Sequence, residues 1–359
     1  MTATSFELWA PFLVAFVIAL AVTPYCIWVA PKIGAIDIPK DDRRVHTKAM
    51  PRFGGLAIYL AGALSMVLFI SEEDGVPGAL IGCTMIYILG VWDDLKELKA
   101  LHKLLGQIAC ATMAFACGLK IEFVTNYLGD GNMVFGTAAC YVVTVIWLVG
   151  ITNAMNLIDG LDGLAAGISA ISALCIAFVA YIHGQYVTTI AMMIIAGAAL
   201  GFLPYNFHPA KIFMGDGGSQ LLGFGIAAFS ILGTVKSTTI IILIIPAVVL
   251  GIPIFDTAFA IIRRVVRRQP IGMGDKEHLH HRIMRAGFGQ KRSVMMLYCI
   301  SAIMGIISTL FSRGQFLRVE TIGLTAVVVM LLYIFLSDTS GRNVHERGQR
   351  IKEKKEKSQ

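Results

Sequence analysis

The chain has 359 residues, of which 56% are apolar and 15% are charged, and its mean hydropathy is +0.73. This composition excludes an ordinary soluble domain and is typical of a polytopic membrane protein. The net charge is +7, and its distribution along the chain favours a membrane surface as the partner, with no role in binding nucleic acid.

Apolar runs recur along the chain and predict an all-α polytopic membrane protein with about eleven transmembrane helices. The predicted spans are residues 10–30, 53–70, 78–92, 103–119, 134–151, 164–182, 187–204, 219–235, 239–262, 293–311 and 319–336. Segments 78–92 and 219–235 are short, because a span needs about 20 residues. We expect residues 1–336 to form a single transmembrane domain and residues 337–359 to form a basic cytoplasmic tail.

The basic residues set the expected orientation of the chain. Segments 31–52, 93–103, 205–218, 263–292 and 337–359 hold 26 of the 30 Lys and Arg residues. By the positive-inside rule these segments are cytoplasmic, which places the N-terminus outside and the C-terminus in the cytoplasm. We therefore expect a multi-pass protein of the inner (cytoplasmic) membrane, with an active site built from cytoplasmic loops.

Two adjacent acids, Asp93 and Asp94, end the third predicted span. Neighbouring positions on a helix point about 100° apart, so the two carboxylates should have different partners. We expect one to pair with Lys96 or Lys103 and the other to act as a general base. Asp94 is favoured as the base, because it lies further toward the cytoplasmic mouth. The alternative is a solvated helix end.

The segment TNAMNLIDGLDG repeats an oxygen-bearing side chain at every third position. These residues are Asn153, Asn156, Asp159 and Asp162. Gly160 and Gly163 disfavour a long regular helix and allow a close backbone approach. The segment carries no Lys or Arg of its own, and oxygen ligands suit Mg²⁺. The alternative is a polar loop that connects two spans.

Residues 212–219, IFMGDGGS, place Asp216 in a glycine turn that opens a helix. Backbone N–H groups at a helix start bind anions, whereas an acid at that point repels a bare phosphate. A cation that bridges Asp216 and a phosphate would allow the acid and the phosphate to lie at the same helix start. Phe213, just before the turn, could stack on a base or could lie at the membrane interface as an ordinary aromatic residue.

The segment KEHLHHR carries three imidazoles and an arginine between two basic flanks. Zinc is disfavoured, because no Cys or acid completes a tetrahedral ligand set. His278, His280, His281 and Arg282 are therefore interpreted as contacts to a diphosphate and a sugar.

Two further features complete the sequence pattern. Asp256 lies in the ninth predicted span and is interpreted as a structural partner of Arg263 or Arg264, with a role in the active site as the alternative. Residues 40–52 form a second basic loop before a pair of glycines. This loop could cover an anionic substrate.

In this order, DDLKELKALHK, NAMNLIDGLDGLAAG, NFHPAKIFMGDGGS, PIFD and HLHHR resemble the motifs of the polyprenyl-phosphate N-acetylhexosamine-1-phosphate transferases, glycosyl transferase family 4. The resemblance runs from Arg43 to Arg282. HLHHR and the HTKAMPRFGG loop look like the bacterial branch that starts the synthesis of wall teichoic acid, O-antigen or common antigen. The translocase that makes lipid I usually carries a run of three adjacent His followed by Phe-Glu, from which this chain departs.

The resemblance implies transfer of N-acetylglucosamine-1-phosphate from UDP-N-acetylglucosamine to undecaprenyl phosphate, with release of UMP. Mg²⁺ is the implied cofactor, with Mn²⁺ as a substitute, and the implied partners are both substrates and membrane lipid. A homodimer is left open. The alternatives are the phospho-N-acetylmuramoyl-pentapeptide transferase that makes lipid I, the use of another UDP-sugar, and a non-enzymatic secondary transporter.

The resemblance also implies roles for residues at matching positions. Asp216 and Asn156 would hold the metal. Asp93, Asp94 and Asp159 would take part in the chemistry. The implied substrate contacts are Lys48, Lys103, Asn153, His278, His280, His281 and Arg282, together with a uridine pocket formed by Gly160, Asp162, Asn206 and Phe213.

Overall fold

The computed structural model describes residues 5–38, 49–70, 73–125, 132–235, 246–266, 268, 278–285 and 287–312. The helices are α1 (Ser5–Val29), α2 (Gly55–Phe69), α3 (Val76–Lys96), α4 (Ala100–Ala116), α5 (Thr137–Ile158), α6 (Leu164–Ile182), α7 (Tyr186–Asn206), α8 (Gly215–Val235), α9 (Gly251–Val266), α10 (Leu279–Arg285) and α11 (Gln290–Ser312). The strands are β1 (Ile36–Asp37), β2 (Met50–Pro51), β3 (Phe123–Thr125) and β4 (Asn132–Val134). Lys48, the predicted span 319–336 and the predicted tail 337–359 lie outside the described residues.

The helices confirm a polytopic, mostly helical membrane protein. Six of the described helices, α1, α3, α5, α6, α7 and α11, are long and apolar enough to cross a membrane, and α2 and α4 are shorter apolar helices. Every predicted span except 319–336 overlaps a described helix. The total of eleven spans and the orientation of the termini stay predictions.

The two spans predicted to be short are longer in the structure. Helices α3 and α8 each have 21 residues. An apolar run ends at its first charged residue, but α3 continues through Asp93 and Asp94 to Lys96. The helix can continue into the protein interior because both carboxylates have partners there, described below. Their charges are therefore not buried unpaired.

Helices α7 and α8 occupy the centre of the bundle. Helix α7 packs against α1 and α6, and α8 packs against α3 and α5. Small residues allow the close approach of α7 and α1, because Gly197 and Gly201 lie directly on the backbone of Phe12 and Phe16. Close packing over small residues is a common way for helices to associate in membranes.

Glycine also sets the contact between α3 and α8. A Cβ atom added to Gly90 would lie 2.5 Å from the Cα atom of Gly217 and 2.6 Å from the carbonyl oxygen of Asp216. Both are backbone atoms of the first turn of α8, and they cannot rotate away as a side chain could. The position of Asp216 therefore depends on the absence of a side chain at position 90.

Two short antiparallel strand pairs, β1–β2 and β3–β4, lie outside the helices. Just after β2, the chain runs beside the segment that precedes α8. The N–H of Phe213 donates to the carbonyl of Pro51 at 2.8 Å, and the N–H of Gly54 donates to the carbonyl of Phe213 at 3.0 Å. These bonds hold Arg52 next to the start of α8.

We expect Gly90→Ala to destabilise the protein, because its methyl group would push the first turn of α8 away from α3. Overpacking of this kind costs about 1–3 kcal/mol. Gly62→Ala, within α2, is the matched control, since a Cβ there meets no atom within 4 Å and alanine favours a helix by roughly 0.5–1 kcal/mol. The measurement is the apparent melting temperature in detergent. Equal melting temperatures for the two variants would contradict the predicted contact.

Candidate active site

Three acids and two cations meet where α3 ends and where α4 and α8 begin. The Nζ atom of Lys103 lies 2.9 Å from Oδ2 of Asp93 and also contacts Oδ2 of Asp216. The Nη2 atom of Arg52 lies 2.6 Å from Oδ1 of Asp216, and its Nε atom lies 3.0 Å from Oδ1 of Asp94. The structure thus brings four residues from three segments of the chain, Arg52, Asp93, Asp94 and Lys103, together around Asp216.

Asp94 caps the first turn of α8. Its Oδ1 atom accepts a hydrogen bond from the N–H of Asp216 at 2.8 Å, and its Oδ2 atom accepts one from the N–H of Gly217 at 3.0 Å. The preceding turn needs a glycine, because Gly215 has a φ of 72°. The anion-binding helix start predicted from the sequence is therefore filled by a carboxylate of the protein, and these two N–H groups are not free for a phosphate.

Three oxygen atoms converge on the ammonium group of Lys103. They are Oδ2 of Asp93 at 2.9 Å, Oδ1 of Asn156 at 2.9 Å, and Oδ2 of Asp216. The amide of Asn156 is held in this direction because its Nδ2 atom donates to Oγ of Ser219 at 2.9 Å. We call this arrangement of Asp93, Asn156 and Asp216 the oxygen cradle.

The oxygen cradle suits a small divalent cation as well as an ammonium group. Carboxylate and amide oxygens are ligands that Mg²⁺ and Mn²⁺ prefer. Within the described ranges, no group of three or more His, Cys, Asp or Glu is arranged to hold a metal. A cation in the cradle would thus need the Asn156 amide and further oxygens from water or substrate, which is how Mg²⁺ is usually bound beside phosphates.

The pKa values of two acids in the site are shifted in opposite directions. Burial raises the pKa of Asp159, which follows α5, to about 7; Arg52 opposes the shift, and the charges of Asp216 and Asp94 add to it. Burial also acts to raise the pKa of Asp216, but Lys103 and Arg52 hold it well below its usual range. Asp216 therefore favours its ionised form, whereas Asp159 holds a proton more readily than an exposed carboxyl does.

A chain of amide side chains lies one helical turn deeper in the bundle. The Nδ2 atom of Asn153 donates to Oε1 of Gln107 at 2.7 Å, and the Nε2 atom of Gln107 donates to Oε1 of Gln220 at 3.0 Å. Gln107 and Gln220 are fully buried. Asn153, predicted to contact substrate, is bonded here to another helix. The chain joins α4, α5 and α8, the helices that carry Lys103 and the oxygen cradle's Asn156 and Asp216.

Asn206 joins two loops of the predicted uridine pocket. It is 2% exposed, its Oδ1 atom accepts from the N–H of Gly163 at 3.1 Å, and its Nδ2 atom donates to the carbonyl of Ile212 at 2.9 Å. Asp162 acts similarly, since its Oδ2 atom accepts from the N–H of Ala210 at 3.1 Å and contacts Nδ1 of His208 at 2.8 Å. Both side chains hold the loop after α5 against the loop after α7. Their predicted contact with uridine stays a prediction.

The HLHHR segment also contacts the loop after α5. His280 packs on Gly160 so closely that no Cβ atom would fit there. Burial and the neighbouring imidazole of His281 lower the pKa of His280 to about 3, so this ring is neutral. His281 and Arg282 are half-buried beside it. The predicted sugar-contacting segment therefore lies against the Gly160 loop.

Asp256 has a partner that differs from the predicted one. Its Oδ2 atom lies 2.9 Å from Nδ1 of His278, and its Oδ1 atom accepts from the N–H of Leu279 at 2.8 Å. The sequence interpretation paired this acid with Arg263 or Arg264, which lie two turns away on the same helix. Periodicity within a helix favours such local pairs, and it gives no information about a segment that folds back from further along the chain.

The sequence interpretation missed Arg52 and Gln107. Arg52 was treated as one charge of a broad basic loop, although its place directly before the paired glycines at 54 and 55 is a signal of close backbone packing. Gln107 lies one turn after Lys103 on α4. A buried glutamine at that spacing from a functional lysine is a signal that could have placed both side chains on the same face.

Comparison with known proteins identifies several relatives that match most of the chain and one family model. The profile of Glycosyl transferase family 4 matches residues 76–234. The chain is 43% identical over 328 residues to the probable undecaprenyl-phosphate N-acetylglucosaminyl 1-phosphate transferase of Bacillus subtilis (strain 168), covering 90% of this chain and 89% of the relative. It is 35% identical to the decaprenyl-phosphate N-acetylglucosaminephosphotransferase of Mycolicibacterium smegmatis, covering 89% and 86%. It is 30% identical to the phospho-N-acetylmuramoyl-pentapeptide-transferase of Bacillus cytotoxicus, covering 82% and 94%.

The raised pKa of Asp159 predicts a pH-dependent stability. Unfolded, this carboxyl ionises near pH 4, whereas in the folded protein its pKa is about 7. Between these values only the folded state keeps the proton, so stability falls as the pH rises through this window. Asp159→Asn removes this loss. We expect the metal-free variant to melt above wild type at about pH 8, with a difference that shrinks toward about pH 5.

The measurement is the apparent melting temperature in detergent across this pH range. Asp74→Asn, at an exposed acid near the opposite end of α3, is the control for a lost negative charge. A difference between wild type and Asp159→Asn that stays constant with pH would contradict the raised pKa.

Proposed function

We propose that this chain, which belongs to glycosyl transferase family 4, transfers N-acetylglucosamine-1-phosphate from UDP-N-acetylglucosamine to undecaprenyl phosphate and releases UMP. The observation that carries the proposal is the convergence of Asp93, Asp94, Lys103, Asn156 and Asp216 at one site, where the ends of α3 and α5 meet the starts of α4 and α8. The Bacillus subtilis relative, whose name states this sugar and lipid, matches nearly the whole chain and supports the choice of substrates.

The proposed reaction is the first membrane step in the synthesis of a cell-envelope glycopolymer. Teichoic acid, O-antigen and common antigen are all compatible with such a product. We place the enzyme in the inner membrane, with about eleven spans and the site on the cytoplasmic side, because UDP-sugars are made in the cytoplasm and the basic segments predict this orientation. As in the sequence analysis, a homodimer is left open.

Mg²⁺ is the proposed cofactor, with Mn²⁺ as a substitute. Asp216 and Asn156 would hold it, since their oxygens already surround a cation, the ammonium group of Lys103. When bound, the metal would supply positive charge that offsets the repulsion between two phosphate groups and the charge that develops on UMP.

The protein's own residues would bind and orient the two phosphates. In the proposed reaction an oxygen of the lipid phosphate forms a bond to the β-phosphorus, and the bond from that phosphorus to the UMP oxygen breaks. Lys103 and Arg52 are the cations beside Asp216, and both can donate hydrogen bonds to phosphate oxygens. Direct attack is favoured over an aspartyl intermediate, because the phosphate nucleophile arrives already anionic.

We assign the two adjacent acids to different tasks. Asp94 is the bracing residue, since both of its oxygens bond the backbone at the start of α8. Asp93 is the proposed base, because its Oδ2 atom is held by the flexible side chain of Lys103, which can turn to an incoming phosphate. This assignment reverses the sequence preference for Asp94 as the base, which had considered only depth along the helix.

The direct test is release of UMP from UDP-N-acetylglucosamine by the purified protein. We expect release to require both undecaprenyl phosphate and Mg²⁺, and to stop on chelation. Asp216→Asn should lower the rate at least about 100-fold, roughly 2.7 kcal/mol of transition-state stabilisation, with an unchanged melting profile as the folding control. A rate near wild type at saturating Mg²⁺ would remove Asp216 from the metal site. Equal use of UDP-N-acetylmuramoyl-pentapeptide would favour the lipid I reaction instead.

The division of labour between the two acids predicts different pH profiles. A phosphate monoester has a second pKa near 6, so a base matters less as the pH rises and the dianion forms unaided. Asp93→Asn should lose most of its activity at about pH 6.5 and recover part of it near pH 9. Asp94→Asn should be impaired at both values, because an amide –NH₂ cannot accept a backbone N–H. Parallel pH–rate profiles for the two variants would defeat the assignment.

A further inference from the structure

We propose that Asp256 is a positioning residue, which fixes the tautomer of His278 and the direction of α10 so that the HLHHR segment meets the Gly160 loop. The proposal rests on the proposed function in one respect, the contact of this segment with the UDP-sugar. It adds a residue from α9, a helix that contributes no other side chain to the site described above.

The contacts of Asp256 are those of an orienting acid. Its side chain is 8% exposed, as is that of His278. One carboxylate oxygen accepts the N–H of Leu279, the first residue of α10, and the other lies 2.9 Å from Nδ1 of His278. A single buried carboxylate thus holds both the backbone and the preceding side chain at the point where the segment enters the protein.

The geometry sets the tautomer of His278. An ionised carboxylate has no hydrogen to donate, so the Nδ1 atom of His278 must carry the proton in this contact. In the neutral ring the other nitrogen, Nε2, is then left as an acceptor. The same arrangement, in which an acid holds the far nitrogen of an imidazole, orients histidines in many catalytic and metal sites.

The orientation of His278 is passed on to the site through stacked rings. The rings of His278 and His280 are parallel, with an interplanar angle of 2° and centroids 5.8 Å apart. His280 in turn packs on Gly160, next to Asp159. Its Nδ1 atom is buried and has no hydrogen-bond partner among the described residues. This nitrogen therefore makes no bond to the described part of the chain that would orient the ring, which leaves packing against its neighbours to set its position.

Asp256→Asn tests the orientation of His278 without changing the size of the side chain that packs against it. The amide oxygen of the variant can still accept the N–H of Leu279, so α10 keeps its first backbone contact. The amide –NH₂ now faces Nδ1 of His278 and can only donate to it, which forces the proton onto Nε2. The substitution keeps the size of the side chain and inverts the tautomer of the ring.

The experiment measures kinetics and tautomer in the full-length protein. We expect Asp256→Asn to lower kcat/KM for UDP-N-acetylglucosamine at least tenfold, while KM for undecaprenyl phosphate stays within twofold of wild type. Nitrogen-15 spectra of histidine-labelled protein should show the proton of His278 on Nδ1 in wild type and on Nε2 in the variant, with His278→Gln assigning the signal. In a His278→Gln background, Asp256→Asn should add less than a twofold effect.

Two further variants complete the test. Thr257→Val is the matched control, because the adjacent hydroxyl is buried without a hydrogen-bond partner among the described residues; we expect wild-type kinetics. Asp256→Glu keeps the acceptor charge and should recover part of the loss. An unchanged kcat/KM in Asp256→Asn despite a moved proton, or an equal rise in KM for both substrates, would overturn the proposal. A wild-type protein that releases no UMP would overturn the proposed function and leave the tautomer result intact.

Discussion

The bond between the Asp94 carboxylate and the first N–H groups of α8 is the contact on which the rest of the site depends. It joins the end of one helix to the start of another that is 122 residues later in the chain. Because the N–H groups at a buried helix start must be satisfied, this carboxylate fixes both the position and the rotation of α8. Asp216 lies in the same turn, so the position of this turn directs its carboxylate to Lys103 and Arg52.

The charges of this region explain why the site can receive a cation. Asp93, Asp94 and Asp216 outnumber the two cations that contact them, Lys103 and Arg52, so ionisation of all three acids would leave a negative excess in surroundings of low dielectric. The raised pKa of Asp159 makes this neighbouring acid easier to protonate, which limits the excess. A divalent cation would relieve the remaining repulsion, and the two basic side chains would then be available to phosphate oxygens.

The sequence predicted the helices well and the partners of the site residues poorly. Apolar runs located every described span, because burial and helix length act on contiguous residues. The same criterion placed the end of the third predicted span before Asp93, because it treats a carboxylate as exposed to solvent. The helix α3 continues to Lys96. The partners of Asp94 on α8 and of Asp256 at the start of α10 could not be predicted, because they lie on other segments of the chain and periodicity carries no information about which segments touch. The pairing of Asp93 with Lys103 was anticipated, since both residues lie near one helix connection.

The two acids at the end of α3 also differ in when their partners become available during synthesis. Asp93 pairs with Lys103, which follows it in the next helix, so this charge can be neutralised as soon as α3 and α4 enter the bilayer together. Asp94 pairs with Arg52, which precedes it in the chain, but its two backbone partners belong to α8, which leaves the ribosome much later. An unpaired acid at a helix end in lipid costs several kcal/mol. We therefore expect Arg52 to neutralise Asp94 until the N–H groups of α8 are in place.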